Sequence, residues 1–154
     1  MVQKKKNVHV HLGMIEKYIN KISGPLLDRI DIHIEVPAVK YEKLNDTEKS
    51  ETSLDIKNRV NNAREIQLER YRKYNIYSNS ELTTNMIDIY CKLNNESKVI
   101  MQKAFDKLGL SVRAYNKILK VARTIADLDC SENILTKHIA EAIQYRSLDR
   151  KYWR

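Results

Sequence analysis

Arg29 lies between Asp28 and Asp31 in the stretch GPLLDRIDIHIEVP, at the entrance to a run of alternating apolar and polar residues. A guanidinium is permanently charged and planar, and it can spread its donors over a phosphate or a carboxylate. Two chemistries fit this triplet. Either the acids neutralise Arg29 at a surface, or the charge is held ready for an anion outside the chain. From the residues alone, neutralisation is the simpler account. A second arginine, Arg113 in GLSVRAY, follows Ser111, a residue type that caps helices. In the first turn of a helix the macrodipole disfavours a cation and favours an incoming anion. A purely structural cation would be better placed at the other end, as Arg123 is. A solvated arginine beside a cap is the competing account.

Other reactive residues point less far. His9 and His11 lie two apart in VHVH, while His33 and His138 are isolated. Asp127 and Asp129 flank an expected helix end with no acid–base partner in view, so a solvated turn is the natural reading. The three glycines, Gly13, Gly24 and Gly109, do not have the spacing of a phosphate-cradling loop or of a dinucleotide fingerprint. The chain therefore binds no nucleotide through a glycine-rich loop of its own. Cys91 and Cys130 are the only cysteines and suggest no disulfide framework, which makes a reducing, cytoplasmic setting the default.

The elements that must position these residues are mostly helical. Met14, Ile15, Tyr18, Ile19 and Ile22 have helical spacing, and Ser23-Gly24-Pro25 breaks the pattern. Ile30, Ile32, Ile34 and Val36 alternate with Asp31, His33 and Glu35, which reads as a strand closed by Pro37. One strand cannot make a sheet, so it is an orphan. Lys40 to Thr52 is a linker by composition. A helix start over Thr52–Asp55 leads into Ile56, Val60, Ala63, Ile66 and Tyr71, a narrow apolar stripe on a long charged helix. A polar break over Tyr74–Thr84 precedes a helix from about Thr84 to Leu93. The next helix starts at Asn95 and stops at Gly109. Ser111 then opens the most amphipathic segment, with Val112, Tyr115, Ile118, Leu119, Ala122, Ile125 and Ala126 on one side. A last helix, with Thr136 as its expected cap, turns Ile139, Ala142, Ile143 and Tyr145 inward. The fold expected is mainly α, a bundle of four or five helices after one orphan β-strand.

Composition is compatible with this. A chain of 154 residues that is 42% hydrophobic and 31% charged can bury a core without metal or disulfide staples. No apolar run approaches the ~20 residues needed to cross a bilayer, and MVQKKKNVHVHLGM lacks the apolar core of a secretory signal. The net charge of +8 is spread over the chain, with clusters at Lys4–Lys6, Arg70–Lys73 and Arg146–Arg154. Diffuse charge for solubility is the plain reading, and nucleic-acid contact the other. Nine tyrosines against one phenylalanine suit half-buried helix faces better than base stacking.

Three stretches carry a specific resemblance. YINKISGPLLDRIDIHIEVP, residues 18–37, resembles the end of the ATPase core of magnesium-chelatase-like AAA+ proteins of the ComM/YifB type. GLSVRAYNKILKVARTIADLD, residues 109–129, is similar to the helical lid of the same family, and HIAEAIQYRSLDRKYW, residues 138–153, to its C-terminal end. The likeness covers residues 14–154, about the last third of a full-length member. It implies a division into residues 1–39, the incomplete end of the core, residues 40–52, a linker, and residues 53–154, the helical lid. It also implies a ring, commonly a hexamer, whose active sites lie between neighbouring subunits and which processes DNA, for example by branch migration. ATP and Mg²⁺ would be held mainly by an upstream core, so this chain alone should not hydrolyse ATP. On this resemblance Arg29 matches the arginine finger that reaches a neighbour's nucleotide, and Arg113 matches the lid arginine, sensor 2, that touches nucleotide phosphate. Relatives often carry cysteines near the positions of His9 and His11. Those cysteines are absent here, no metal site is expected, and an extended arm with two histidines is the simpler account. The partners implied are the missing core, neighbouring subunits of a homo-oligomeric ring and DNA, with no membrane.

A second reading stays open from the residues. ARTIADLDCSENILTKHIAEAIQYR can be drawn as a helix–turn–helix in a nucleic-acid- or protein-binding module with no nucleotide role. Its second helix offers only Lys137, Gln144 and Arg146 to base edges.

Overall fold

The computed structural model describes residues 24–38 and 50–146. A single helical turn, α1 (Gly24–Leu27), precedes five helices: α2 (Ser53–Arg70), α3 (Thr84–Tyr90), α4 (Asn95–Leu108), α5 (Val112–Leu128) and α6 (Thr136–Gln144). The expected helix over Met14–Ile22, most of the linker, His9 and His11 lie outside the described residues.

Helix α5 is the centre of the body. Its apolar spacing buries Ile118, Leu119, Ala122 and Ala126, and the alanines let neighbouring backbones approach. Helix α6 packs along it, α2, α3 and a 3₁₀ turn at Asn79–Glu81 pack on its other sides, and α4 packs on α6. Met101, Ile134 and Ile139 complete the buried centre, each within 2% of full burial. Burying one such side chain stabilises the fold by roughly 1.5–3 kcal/mol. Gly109 ends α4 in the left-handed region at φ 54°, where a Cβ would be costly. Ser111 then caps α5, its hydroxyl accepting from the Ala114 amide at 3.0 Å.

The structure departs from the expected elements in four places. Helix α3 stops at Tyr90, and Leu93 instead forms an isolated parallel bridge with Ile134. Helix α2 buries only Ala63 and Gln67, with Ile56 and Val60 exposed, so its first turns rest on a cap rather than on packing. That cap is the expected one: the Thr52 hydroxyl accepts from the Asp55 amide, and the Asp55 carboxylate accepts from the Thr52 amide, both at 3.2 Å. Thr136 is not the cap of α6 but its first helical residue. Leu135 holds the cap position, and its amide donates to His138 Nδ1 at 3.0 Å.

The alternating run Ile30–Val36 joins no β-ladder among the described residues. It lies against the body instead, with the His33 amide donating to the Tyr145 carbonyl at 2.8 Å. Ile34 and Val36 remain 67% and 85% exposed, so the apolar face that alternation created has no sheet to cover it. The tyrosines follow their expected use in part. Tyr71 is buried, Tyr90 meets it edge-on at 5.2 Å, and Tyr115 stacks edge-on with Phe105, whereas Tyr74 and Tyr77 are exposed.

Candidate functional site

The residues around Arg29 meet the start of α5. The Ser111 hydroxyl, besides capping the helix, donates to the Asp28 carboxylate at 3.0 and 3.2 Å. Arg146, just past the end of α6, brings Nη2 to 3.4 Å from Asp28 Oδ1 and donates through Nη1 to the Ile30 carbonyl. Lys117, from the second turn of α5, pairs with Asp31 at 2.5 Å and donates to the main-chain carbonyl of Arg29. Both acids of the triplet are thus used by the helical body. Neutralisation of Arg29 by its own neighbours, the simpler account of the residues, is not what the acids do.

Arg29 is left with an exposed side chain and, among the described residues, no hydrogen-bond or ion-pair partner for its guanidinium. Its amide donates to the Leu26 carbonyl at 3.0 Å, which continues the turn of α1. Arg113 is the second residue of α5 and is likewise exposed and unpartnered among the described residues. The helix start that carries Arg113 therefore also holds, through Ser111, the residue next to Arg29. Neither arginine lines either of the two apolar grooves of about 450 Å³. One groove runs between α4 and α5 past Met101 and Phe105, and the other between Ile32, Ile34 and α5. Both arginines stand on open surface, where a second molecule can reach them.

A different cluster proves structural. Asp127 is buried, and its carboxylate receives Arg70 through two donors at 2.9 and 2.5 Å, Asn79 at 2.8 Å and Arg123 Nε at 3.2 Å. Arg123 also donates to the carbonyls of Ser131 and Glu132, closing the loop before α6. The solvated turn expected for Asp127 is wrong: four donors fill its lone pairs, and water has no role left there. Arg123 is the structural cation its position suggested. His138 is not isolated either. It is 2% exposed, and its Nε2 meets Asp129 at 3.1 Å. Lys137 first, then His138, hold the Asp129 carboxyl below its ordinary value. Burial pushes the Cys91 thiol up to about 11, so it stays protonated at neutral pH. Among the described residues no group of three or more His, Cys, Asp or Glu could hold a metal ion, and no helix is long and apolar enough to cross a membrane.

The helix–turn–helix reading loses one of its three contacts. Arg146 has a side chain only 2% exposed, so it cannot reach a base edge. The connection Asp129–Leu135 also exceeds the roughly three- or four-residue turn of that motif. Lys117 is not singled out by the sequence, Ser111 reads there only as a cap, and Arg146 only as a contact of the alternative module. The available signal was Lys117, four residues after Arg113 and so on the same helix face.

Comparison with known proteins gives two family matches. The magnesium chelatase subunit ChlI C-terminal model matches residues 50–146, and the magnesium chelatase subunit ChlI model matches residues 1–44. Competence protein ComM of Haemophilus influenzae is 47% identical over 137 residues, 88% of this chain and 26% of that protein. Uncharacterized protein YifB of Escherichia coli is 42% identical over 135 residues, covering 87% and 26%. Uncharacterized protein Rv2897c of Mycobacterium tuberculosis is 27% identical over 130 residues, covering 84% and 26%. The chain spans about a quarter of the length of these relatives, rather than the third expected.

Proposed function

The chain belongs to the magnesium chelatase family, and on that premise we propose that it forms the lid end of a ring-forming AAA+ ATPase that processes DNA. In this reading Arg29 presents its guanidinium to the γ-phosphate of a neighbour's nucleotide, and Arg113 contacts nucleotide phosphate from the lid. ATP and Mg²⁺ would be held chiefly by the core portion that the longer relatives have room for. Arg113 suits a phosphate because it shares the first turn of α5 with unpaired helix amides.

The observation that carries the reading is the division of labour in the Asp28–Asp31 turn. The acids and the main-chain carbonyls are anchored to the body, while the one permanently charged side chain is left open. A planar cation on a fixed base is what stabilises charge developing on a transferring phosphoryl group. DNA as the substrate rests on the ComM relative's name as a competence protein and on the net charge of +8.

The test joins this chain to the remaining portion of the H. influenzae relative and mixes two subunit types, one with Arg29→Ala and one lacking its phosphate loop. Mixed rings should recover hydrolysis at some interfaces, while each variant alone is inactive. Recovery of nothing although mixed rings form, with Arg29→Ala merely lowering Tm, would make Arg29 a structural residue.

A further inference from the structure

The loop from Tyr71 to Asn79 leads from α2 into the 3₁₀ turn, and its two ends are tied to each other. The buried Tyr71 hydroxyl donates to Asn79 Oδ1 at 2.6 Å, and Asn79 donates in turn to the buried Asp127 carboxylate at 2.8 Å. Ile76 packs against the core from within the loop. Compact surface loops with joined ends are frequently functional, and this one carries its exposed side chains on a fixed base. Tyr74 and Tyr77 are 45% and 56% exposed, more than a half-buried helix face would leave them. Both rings are nevertheless held. Tyr74 meets Tyr90 edge-on at 6.2 Å, while Tyr77 donates to Asn75 through its hydroxyl and to Glu81 through its amide, both at 3.1 Å. Arg72 and Lys73, next to Tyr74 in the chain, are exposed and have no side-chain partner among the described residues. No acid lies between Tyr71 and Ser80, and the Glu81 carboxylate is engaged by the Tyr77 amide and the Ser78 hydroxyl. Lys120 adds a positive charge at the end of the loop, donating to the Ser80 carbonyl at 2.8 Å.

We propose that this loop binds single-stranded nucleic acid, with Tyr74 and Tyr77 stacking on bases and Arg72 and Lys73 meeting phosphates. It gives a surface to the DNA of the proposed function and rests on that reading. A ring can stack on any base, because every base has a π-face, and nearby cations follow the backbone without reading sequence. Holding the rings in place before binding lowers the ordering cost. A duplex suits the loop less. Its base faces are already stacked, and the loop offers neither a helix nor a β-ribbon to a groove. An acidic peptide would need only the cations, and the anchor residues of a protein partner need a pocket to fill. No residue of Tyr71–Asn79 lines either apolar groove. Exposed rings beside unpaired cations, with no pocket, favour the nucleic acid.

Fluorescence anisotropy of labelled oligo(dT) across a salt series tests this, first with the chain as it stands and then with the joined ring. Oligo(dT) should bind more tightly than a duplex of equal length. Tyr74→Ala and Tyr77→Ala should each weaken binding about 10-fold without changing the salt dependence, and Tyr74→Phe should bind as the parent does. Arg72→Gln and Lys73→Gln should each flatten the slope of log K against log salt by about 0.7. Where an alanine variant also loses Tm, the two glutamine variants decide, because their side chains are exposed and carry no contact of the fold. Parental affinity and slope in every variant would overturn the inference, as would a duplex that binds equally well. Polyglutamate that displaces oligo(dT) at equal charge, with the tyrosine variants unaffected, would make the loop an acidic-peptide surface instead. If the joined ring binds oligo(dT) regardless of the loop variants, the inference fails and the DNA reading survives. A ring that binds no nucleic acid takes both down, whereas the Arg29 mixing test reports on hydrolysis alone.

Discussion

The molecule uses the same chemistry, acids held by cations, in two places with opposite results. At Asp127 the carboxylate is sealed among Arg70, Arg123 and Asn79 and joins α2, the 3₁₀ turn and α5. At Asp28 and Asp31 the partners are Ser111, Arg146 and Lys117, and the acids are partly or largely exposed. Burial decides the difference. In the interior, removing one partner leaves charge without solvent, so the cluster is fixed. At the surface, water can take over for Asp31, and its pairing with Lys117 is worth little by itself, although Arg146 is itself covered. The inner cluster specifies the fold, and the outer one can only orient a segment. An outer cluster that leaves an arginine unpaired is accordingly the better place to look for function.

The contrast can be broken most sharply at its buried end. Asp127→Ala should destabilise the body by about 3–5 kcal/mol, because it strands two guanidinium groups. For a domain of this size that corresponds to a fall in Tm of more than ~10 °C by circular dichroism. A loss no larger than that of Asp31→Ala would erase the distinction. Next in size is His138→Ala, which removes both the acceptor for the Leu135 amide and the contact to Asp129. About 1–2 kcal/mol should be lost, and helix α6 should open first in hydrogen exchange. Smaller again is the effect of salt. Raising it to 1 M should loosen the Lys117–Asp31 pair, read as faster exchange at His33, and leave the Asp127 cluster untouched. Equal sensitivity at both sites would contradict the burial argument.

The sequence made the helices legible because each carries a local signal: Gly109 for an end, Ser111 and Thr52–Asp55 for starts, and apolar residues three and four apart for α5. The roles given to the two arginines rest on family resemblance, since nothing local separates Arg29 in DRID from a neutralised surface charge. What escaped has a common cause. Asp127 takes its donors from residues as far as 57 positions away, and Asp28 meets Ser111 across 83. Such contacts leave no periodicity. Thr136 shows the opposite failure, in which a strong local preference lost. His138, buried and anchored by Asp129, supplies the cap acceptor, and this moves the start of α6 by one residue. The strand-like run misleads for the same reason, because alternation records a face meant for a sheet and cannot say where that sheet is.

The smallest effect tests the exposed side of the comparison through pH. The Asp129 carboxyl is held below its ordinary value of 3.8 by Lys137 and then His138, and that of Asp55 by its hydrogen bonds to Thr52. A carboxyl whose folded pKa is lowered binds fewer protons folded than unfolded, so it adds stability above the unfolded value. That contribution fades as pH falls through the folded value. Asp129→Asn and Asp55→Asn should each lower Tm slightly at pH 7. The gap from the parent chain should close as the pH is brought from 5 to about 2. Both groups are exposed, so each change should stay within the range of surface pairs, well below that of Asp127→Ala. A gap that persists unchanged at low pH would mean that these residues act by packing rather than by charge. The exposed acids would then resemble Asp127 more than the burial argument allows.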